Sequence, residues 1–518
     1  MRLASNEPSG HAPIGEVDVA VVGGGLSGLA TAARLQTSGR STVVLEAHSF
    51  PGGCSGYFRR KGFAFDVGAT TLVDFEPGGV GGEFLDSIGM SHPPGDLLPG
   101  YQAWLPDRIV TLHRDPNRWH PERLRSLGDS QAHRDFWALL DKLADAFWDA
   151  SRKGISLPLR SPGHALAAAR ILPPQHWPLG RHLFSTMGDA LRRHGLRDDK
   201  ALVGLLSMLI EDTVHATVDD APLINAALGI TIRGAGLTRA HGGMSGFMQA
   251  LTAHYEATGG RFARNCEVQA IRGGKGNFGL ETTKGTFRAD QVVAAIPISI
   301  TARIAPEAVT KRLDRFIKRD ADRMGGALVM FLGVPEAEVS DHEWTHHQVL
   351  VDYDQPLGLG NNMFISVSAA GDLASAPAGH RAVMISTHCD LDMWEQLERS
   401  QYQSLKSSIS DRMAQIARRV YPRLATNPVV FEMATPRTFE RFARRPNGAV
   451  GGVRQTLRNT NLFAVPHEIG VDGFHLVGDS TWPGLGTVAC TLGSRIVAGN
   501  VLKSPATATR TAKAGVPA

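Results

Sequence analysis

Residues 18–53 read DVAVVGGGLSGLATAARLQTSGRSTVVLEAHSFPGG. Asp18-Val19-Ala20-Val21-Val22 is an apolar run, long enough for a buried parallel strand and too short for a helix. Gly23-Gly24-Gly25-Leu26-Ser27-Gly28 then satisfies G-x-G-x-x-G. A helix is expected from about Leu26 to Ser38, with Leu29, Ala32, Ala33 and Leu35 toward a sheet and Gly39 ending it. A second strand is expected over Ser41 to Leu45, and Glu46 stands at its carboxyl end, 23 residues after Gly23. In this pattern Gly23 allows the tight turn, Gly25 lets backbone approach a pyrophosphate, and Gly28 lets helix and strand pack closely. The free N–H groups and dipole at the helix start, at Leu26 and Ser27, favour phosphate charge. Glu46, followed by Ala47, can accept hydrogen bonds from both ribose hydroxyls, and its charge would repel a 2′-phosphate. The bland alternative is a glycine-rich structural turn. The strand before the motif, the helix after it and the acid at the expected distance argue against that.

The extension Pro51-Gly52-Gly53 bears on which dinucleotide is bound. Glu46, five residues and then Gly52-Gly53 resembles the longer fingerprint of FAD-binding flavoproteins of the glutathione-reductase-like group. The resemblance implies FAD as a tightly held group rather than exchangeable NAD. It also implies that Gly52 and Gly53 let a second loop pass close to the flavin's phosphates.

The chain has 518 residues, enough for two or three domains and a large core. Hydrophobic residues make up 42% and charged residues 20%, an ordinary globular composition that argues against long disorder. The 54 basic and 50 acidic residues give a formal charge of +4, too balanced to suggest a nucleic-acid partner. The clusters Arg59-Arg60-Lys61, Arg192-Arg193 and Arg444-Arg445 read as solvated loops or helix faces. Cys54, Cys266, Cys389 and Cys490 are scattered, with no C-x-x-C, which points to a reducing compartment, the cytoplasm. The histidines have no metal-ligand spacing. His346 and His347 would point to opposite faces of a strand, so no metal is expected. The first 15 residues are polar and lack the apolar core of a secretory signal. No apolar run approaches the ~20 residues of a membrane span.

Tyr57-Phe58 and Phe63-Ala64-Phe65 read as a hairpin turning at Arg60-Lys61-Gly62. Gly78 to Gly82 reads as loop, Phe84 to Gly89 as a short helix, and Val110-Thr111-Leu112 as strand. His133 to Ala150 has the apolar stripe of an amphipathic helix, and Ala201 to Ile210 is an apolar helix. Arg160 to Lys200 mixes Arg, His and Pro with Trp177, Leu179, Leu183 and Phe184; within it Arg160 to Leu196 suits an interfacial membrane contact, the alternative being a helical cap over a substrate tunnel. Ser245 to Thr258 reads as helix, and Glu267 to Ile271 as strand. A hairpin follows over Gly279–Thr282 and Gly285–Phe287, then a separate buried strand over Gln291 to Pro297. Ala327–Val334, Met363–Ser368 and Ala382–His388 could form a second sheet. Gln401 to Arg419 is an amphipathic helix. Gly473 to Asp479 is a strand ending in Gly-Asp, and Val488 to Val501 a closing helix.

The fold class is therefore α/β: a discontinuous, Rossmann-type FAD-binding domain with a mixed-sheet substrate domain and a helical insertion. The FAD-binding domain is assigned to 16–75, 241–299 and 466–502. The substrate-side, membrane-facing helical insertion is 76–240 and the substrate domain 300–465. Residues 1–15 read as a flexible tail and 503–518 as a disordered one.

Six stretches carry a wider resemblance: GGCSGYFRRKGFAFDVGAT, RDPNRWHPER, GDALRRHGL, HGGMSGFMQAL, ATPRTFERFARRPNGAVGG and LVGDSTWPGLGT. Together they span nearly the whole chain. The sequence resembles the phytoene-desaturase-like flavoproteins, nearest the bacterial carotenoid C-3′,4′ desaturase branch. That superfamily also holds carotenoid cis–trans isomerases, retinol saturases and, further out, amine oxidases. The resemblance implies that Gly23, Gly25 and Gly28 hold the pyrophosphate and Glu46 the adenosine ribose. Gly52 and Gly53, with Cys54 after them, would lie along the phosphates. Val268 would set its backbone against adenine, and Gly478 and Asp479 would bind the phosphate–ribityl part. Thr487 and Val488 would begin a helix whose dipole stabilises negative charge on reduced flavin. Many relatives carry Arg where this chain has Cys54. The change removes a basic group beside the phosphates and points away from amine oxidation; a space-filling role for Cys54 is the simpler reading.

No triad or paired-carboxylate signature stands out. Arg239, His241 and Glu211 lie near family motifs and are the catalytic candidates, although single polar residues in large enzymes are usually structural. The resemblance implies desaturation of a carotenoid or similar apolar polyene at the inner face of the cell membrane, the enzyme lying peripherally on it. Alternatives are a carotenoid isomerase using reduced FAD, and a polyene saturase or natural-product oxidase. A non-catalytic flavin binder fits poorly with the full set of dinucleotide motifs. No motif names the final electron acceptor.

Overall fold

The computed structural model describes residues 14–504. The tails expected at 1–15 and 503–518 fall almost wholly outside these residues. Gly15, assigned to the first tail, instead opens the strand Gly15–Val22.

The first sheet has seven strands. Its parallel part runs Arg261–Ala263, Thr42–Leu45, Gly15–Val22, Gly285–Ala294 and Phe474–Leu476. An antiparallel pair, Val268–Gly274 and Asn277–Thr282, joins the first half of Gly285–Ala294. Side chains alternate across the sheet. Val19 and Val21 pack with helices Leu26–Thr37, Gly243–Ala257 and Thr487–Leu502. Ala20 and Val22 pack on the other face, in the cluster that holds Val309 and Leu313 of helix Glu307–Asp320. Burial on both faces is why the strand is apolar without a polar alternation.

The second sheet also has seven strands, in the order Val430–Ala434, Gly326–Pro335, His380–Cys389, Asn362–Val367, His346–Leu350, Gly100–Trp104, Ile109–His113. All neighbours are antiparallel except His346–Leu350 with Gly100–Trp104. Leu328, Met330 and Leu332 face helix Arg399–Ala417 through Met413 and Ala417. Val329 and Phe331 face the other way, onto Phe63 and Phe65 of the hairpin Tyr57–Arg60/Phe63–Asp66. Helices Gln131–Arg152, Met187–Arg193, Lys200–Val214 and Leu223–Ile230 form a third layer. Their core includes Phe136, Leu140, Leu202 and Leu206 and reaches Tyr101 and Val110 at the second sheet's edge.

Three local expectations change. The segment Gly78–Gly82 is not all loop, because helix Val80–Ile88 begins inside it, its first N–H bonded to the Asp74 carboxylate at 2.8 Å. Gly81 and Gly82 are needed there: a Cβ would stand 2.2 Å from the Phe75 ring and 2.0 Å from the Glu76 carbonyl oxygen, respectively. The strand signal before His113 is a hairpin of two strands. The expected break before Gln291 is absent, and Gly285–Ala294 is one ten-residue strand.

Candidate FAD site

The site begins where Gly15–Val22 ends. Gly23 has φ +103°, and a Cβ on it would stand 2.8 Å from the Ala295 carbonyl oxygen. Gly28 is pressed against the same turn, its imagined Cβ 2.2 Å from the Gly23 carbonyl oxygen. Gly25 differs: the only atom near its imagined Cβ is the Gly52 oxygen, at 3.8 Å, so that side of the loop is open. No side chain caps helix Leu26–Thr37, which leaves its amino end to serve an anion.

The second glycine pair comes to this loop. Gly52 donates its N–H to the Gly24 carbonyl at 2.9 Å and forms a parallel bridge with Gly25. Its φ of +127° and an imagined Cβ 2.5 Å from the Gly56 Cα make a side chain there impossible without movement. Glu46 closes the arrangement. One carboxylate oxygen accepts from the Gly24 N–H at 2.6 Å and the other from the His48 N–H at 2.7 Å. Burial pushes this carboxyl above its ordinary value, with the His48 and Gly24 amides opposing the shift. Each oxygen keeps a lone pair for a ribose hydroxyl.

The loops come together on one cavity of about 950 Å³. Around it stand Gly23, Gly25, Leu26 and Ser27, then Glu46 and Ala47, then Gly52, Gly53 and Cys54, with Val268, Gly478 and Asp479 from distant segments. Cys490 also lines it, and burial pushes its thiol up to about 12, so it stays protonated. Gly28 is not in the lining; it packs behind the loop. Thr487 and Val488 are not in it either. Thr487 starts the closing helix, but its hydroxyl is engaged with the Val73 N–H at 3.0 Å and the Thr71 carbonyl at 3.3 Å.

The catalytic candidates lie elsewhere. Arg239 is 5% exposed and forms a 2.9 Å ion pair with Asp66. His241 is half-exposed, 3.7 Å from the Asp96 carboxylate. Glu211 accepts from Asn362 at 2.6 Å and lies 3.4 Å from His388 Nδ1. Burial opposes ionisation of Glu211, but His388 and Asn362 overcome it and hold the carboxyl below its ordinary value. None of the three lines the cavity.

The expectation that Arg444-Arg445 is a solvated pair holds for only one of the two. Arg444 does reach outward, to Glu267 at 2.9 Å, but Arg445 is buried. Its guanidinium donates to Asp479 at 2.8 Å and approaches the Cys54 sulfur at 3.5 Å. A basic side chain brought from another segment thus stands beside Cys54. Adjacent arginines look alike in sequence. Here Arg444 adopts φ +54°, and the two side chains, both in the cavity lining, go to different partners.

FAD fits this lining. The loop is open at Gly25, the helix start is uncapped, and a hydrogen-bonding acid sits at the strand end where a ribose would lie. Fold and site together define an FAD-dependent oxidoreductase with a discontinuous Rossmann-type domain and a second, mixed-sheet domain.

Comparison with known proteins sharpens this. A model of the NAD(P)-binding Rossmann-like domain matches residues 21–88. The chain belongs to the family of flavin-containing amine oxidoreductases, whose model matches residues 212–502. Among curated proteins it resembles a chloroplastic prolycopene isomerase of Daucus carota, 25% identical over 94% of this chain and 80% of that protein. It also resembles the 4,4′-diapophytoene desaturase (4,4′-diaponeurosporene-forming) of Staphylococcus aureus strain COL, 21% identical over 94% of this chain and 98% of that one. Solved structures alike in fold include an oxidoreductase from Methanosarcina mazei, with TM-score 0.59, 18% identity, and coverage of 93% of this chain and 99% of that one. A putrescine oxidase bound to putrescine has TM-score 0.60, 15% identity, and coverage of 94% and 99%.

Proposed function

We propose that this enzyme desaturates a long apolar polyene of the carotenoid type. The observation that carries the reading is the make-up of the cavity. The wall that bears the dinucleotide loops is joined by Phe58, Phe331, Met433 and Phe439, so an apolar chain can lie against the same space. The desaturase and isomerase relatives, matched over most of the chain, support that substrate class.

Bound FAD supplies a two-electron acceptor for a hydride. The protein's part is to orient and exclude water. Phe58 and Phe331 meet edge to face, with ring centroids 4.9 Å apart, and give a stiff apolar wall. The positive charge left on a conjugated chain is delocalised, so proton loss needs no strong base. The absence of Arg239, His241 and Glu211 from the lining agrees with that economy.

Anaerobic mixing of the oxidised enzyme with an acyclic carotenoid should bleach the long-wavelength flavin band and give a red-shifted pigment. The second reading is a carotenoid isomerase using reduced FAD, favoured by prolycopene isomerases among the relatives. It replaces the first if the band persists and geometric isomers interconvert only after dithionite is added.

A substrate of this kind resides in a bilayer, so the reading extends to peripheral contact with the inner face of the cell membrane. Among the described residues no helix is long and apolar enough to cross a membrane. Helix Pro162–Ile171 has no buried residue, and Leu166, Trp177 and Phe184 are exposed beside Arg170 and Arg181. This composition suits an interfacial contact. Leu179 and Leu183, expected in the same surface, turn inward onto the helical core. Trp177→Ser with Phe184→Ser should reduce flotation with anionic liposomes; flotation equal to wild type removes this segment from the contact.

A further inference from the structure

Arg445 is 8% exposed and lines the cavity together with Gly23, Gly53, Cys54 and Asp479. It ends no helix and joins no surface network. Its Nη1 donates to Asp479 and faces the Cys54 sulfur, and its Nη2 donates to the Gly451 carbonyl. Its Nε is buried without a partner. Burying a guanidinium is costly, and an unpaired donor adds to the cost. One carboxylate does not use the donor set: a guanidinium has five N–H groups. Asp479 poses the opposite difficulty. A carboxylate beside a diphosphate is repelled unless a cation stands between or beside them. Each anomaly resolves the other once an anion enters the cavity.

We propose that Arg445 supplies the cation for the diphosphate–ribityl segment of FAD, reaching across 391 residues of chain to the position next to Cys54, with Asp479 holding its orientation. The inference rests on the FAD reading of the cavity and adds a residue to it. Arg445 is a cofactor-binding and positioning residue; no bond is made or broken at it. Local backbone explains why the two arginines, both in the cavity lining, take different partners, Asp479 for Arg445 and Glu267 for Arg444. Helix Pro436–Ala443 ends, Arg444 takes the left-handed conformation, and the short turn Pro446–Gly448 follows at once. Gly448, at φ +74°, is pressed on the Pro436 carbonyl, its imagined Cβ 1.8 Å from that oxygen, which anchors the turn.

The test is FAD affinity of the full chain, measured by reconstituting apoprotein and by flavin content as purified. Wild type must bind stoichiometric FAD; if it binds none, the FAD reading fails before the inference is reached. Arg445→Met should weaken FAD binding by on the order of 10–100-fold, the usual loss for a charge-assisted contact. The same variant should lose affinity for ADP and keep its affinity for adenosine. Arg272→Gln, at an exposed ion pair outside the cavity lining, should match wild type. Because Arg445→Met strands the Asp479 carboxylate, Arg445→Met with Asp479→Asn is the decisive protein. If Arg445 serves the diphosphate, the double variant regains thermal stability as apoprotein while FAD and ADP binding stay weak. If FAD affinity returns to the wild-type value in the double variant, or never falls in Arg445→Met, Arg445 is only the structural partner of Asp479 and the inference is overturned.

Discussion

The two sheets solve different problems, and the contrast is visible in what their glycines and charges do. At the first sheet the dinucleotide loop is made of backbone. Gly28 is pressed against Gly23 and Gly25 lies beside Gly52, and Glu46 is the side chain that fastens the loop. At the second sheet, polar side chains converge from far apart in the chain. Glu211, Asp212, His388 and Asn362 meet between helix Lys200–Val214 and strands Asn362–Val367 and His380–Cys389. A backbone site tolerates almost no added atom. A side-chain cluster tolerates atoms but not the loss of a partner.

The sharpest way to break the first arrangement is a single methyl group. Gly28→Ala places a Cβ 2.2 Å from the Gly23 carbonyl, with no flexible side chain to yield. It should cost about 3 kcal/mol of stability, seen as a fall in urea midpoint with an unchanged slope, and should release FAD. A loss below about 0.5 kcal/mol would mean the loop can shift and the backbone description is wrong.

The second arrangement is tested by removing a charge and keeping the shape. Glu211→Gln takes from His388 the carboxylate 3.4 Å away and should cost about 2 kcal/mol. Its pH dependence carries the sign. Burial works against protonated His388, but Glu211 and Asp212 raise its pKa above 6.5. That contribution is therefore full below pH 6.5 and fades as pH rises through the raised value. Glu211 has its pKa held below 4.5, so its contribution is full above pH 4.5 and fades as pH falls through the lowered value. The stability gap between wild type and Glu211→Gln should accordingly be widest between pH 4.5 and 6.5 and shrink on both sides. A gap that does not vary with pH refutes the ion pair.

The smallest effect is expected at Glu46, whose loss leaves the fold intact. Glu46→Ala removes the acceptor for the ribose and for two backbone N–H groups, which then turn to water. FAD affinity should fall by about 1–2 kcal/mol, read by titrating apoprotein with FAD. Unchanged affinity would place the ribose elsewhere.

The degree to which each part was legible follows from the range of the forces involved. Helix Leu26–Thr37 and the flanking strands lie within a residue or a few of expectation because strand, turn and helix are adjacent in sequence and each constrains the next. The ten-residue strand Gly285–Ala294 was split by its polar middle. Asp290 and Gln291 look like a boundary, yet both are buried, and Gln291 is paired with His475 from the far end of the chain. Its two halves also pair with different neighbours, antiparallel first and parallel later, so no single periodicity describes it.

By itself, then, the sequence determined the dinucleotide loop, the acid after the second strand and the glycine pair, because turn geometry and close approach are demands on individual residues. His346 and His347 belong to the same class: strand geometry alone sends them apart, His346 to Ser366 and His347 to Tyr421. Only the tertiary structure decided that Arg445 is buried and Arg444 exposed, that Glu211, Arg239 and His241 stand away from the cavity, and that Thr487 spends its hydroxyl on the backbone near Leu72. Those outcomes depend on which segments meet across hundreds of residues. A charged side chain gives no local sign of whether it will be buried, because the partner that makes burial tolerable lies in another part of the chain.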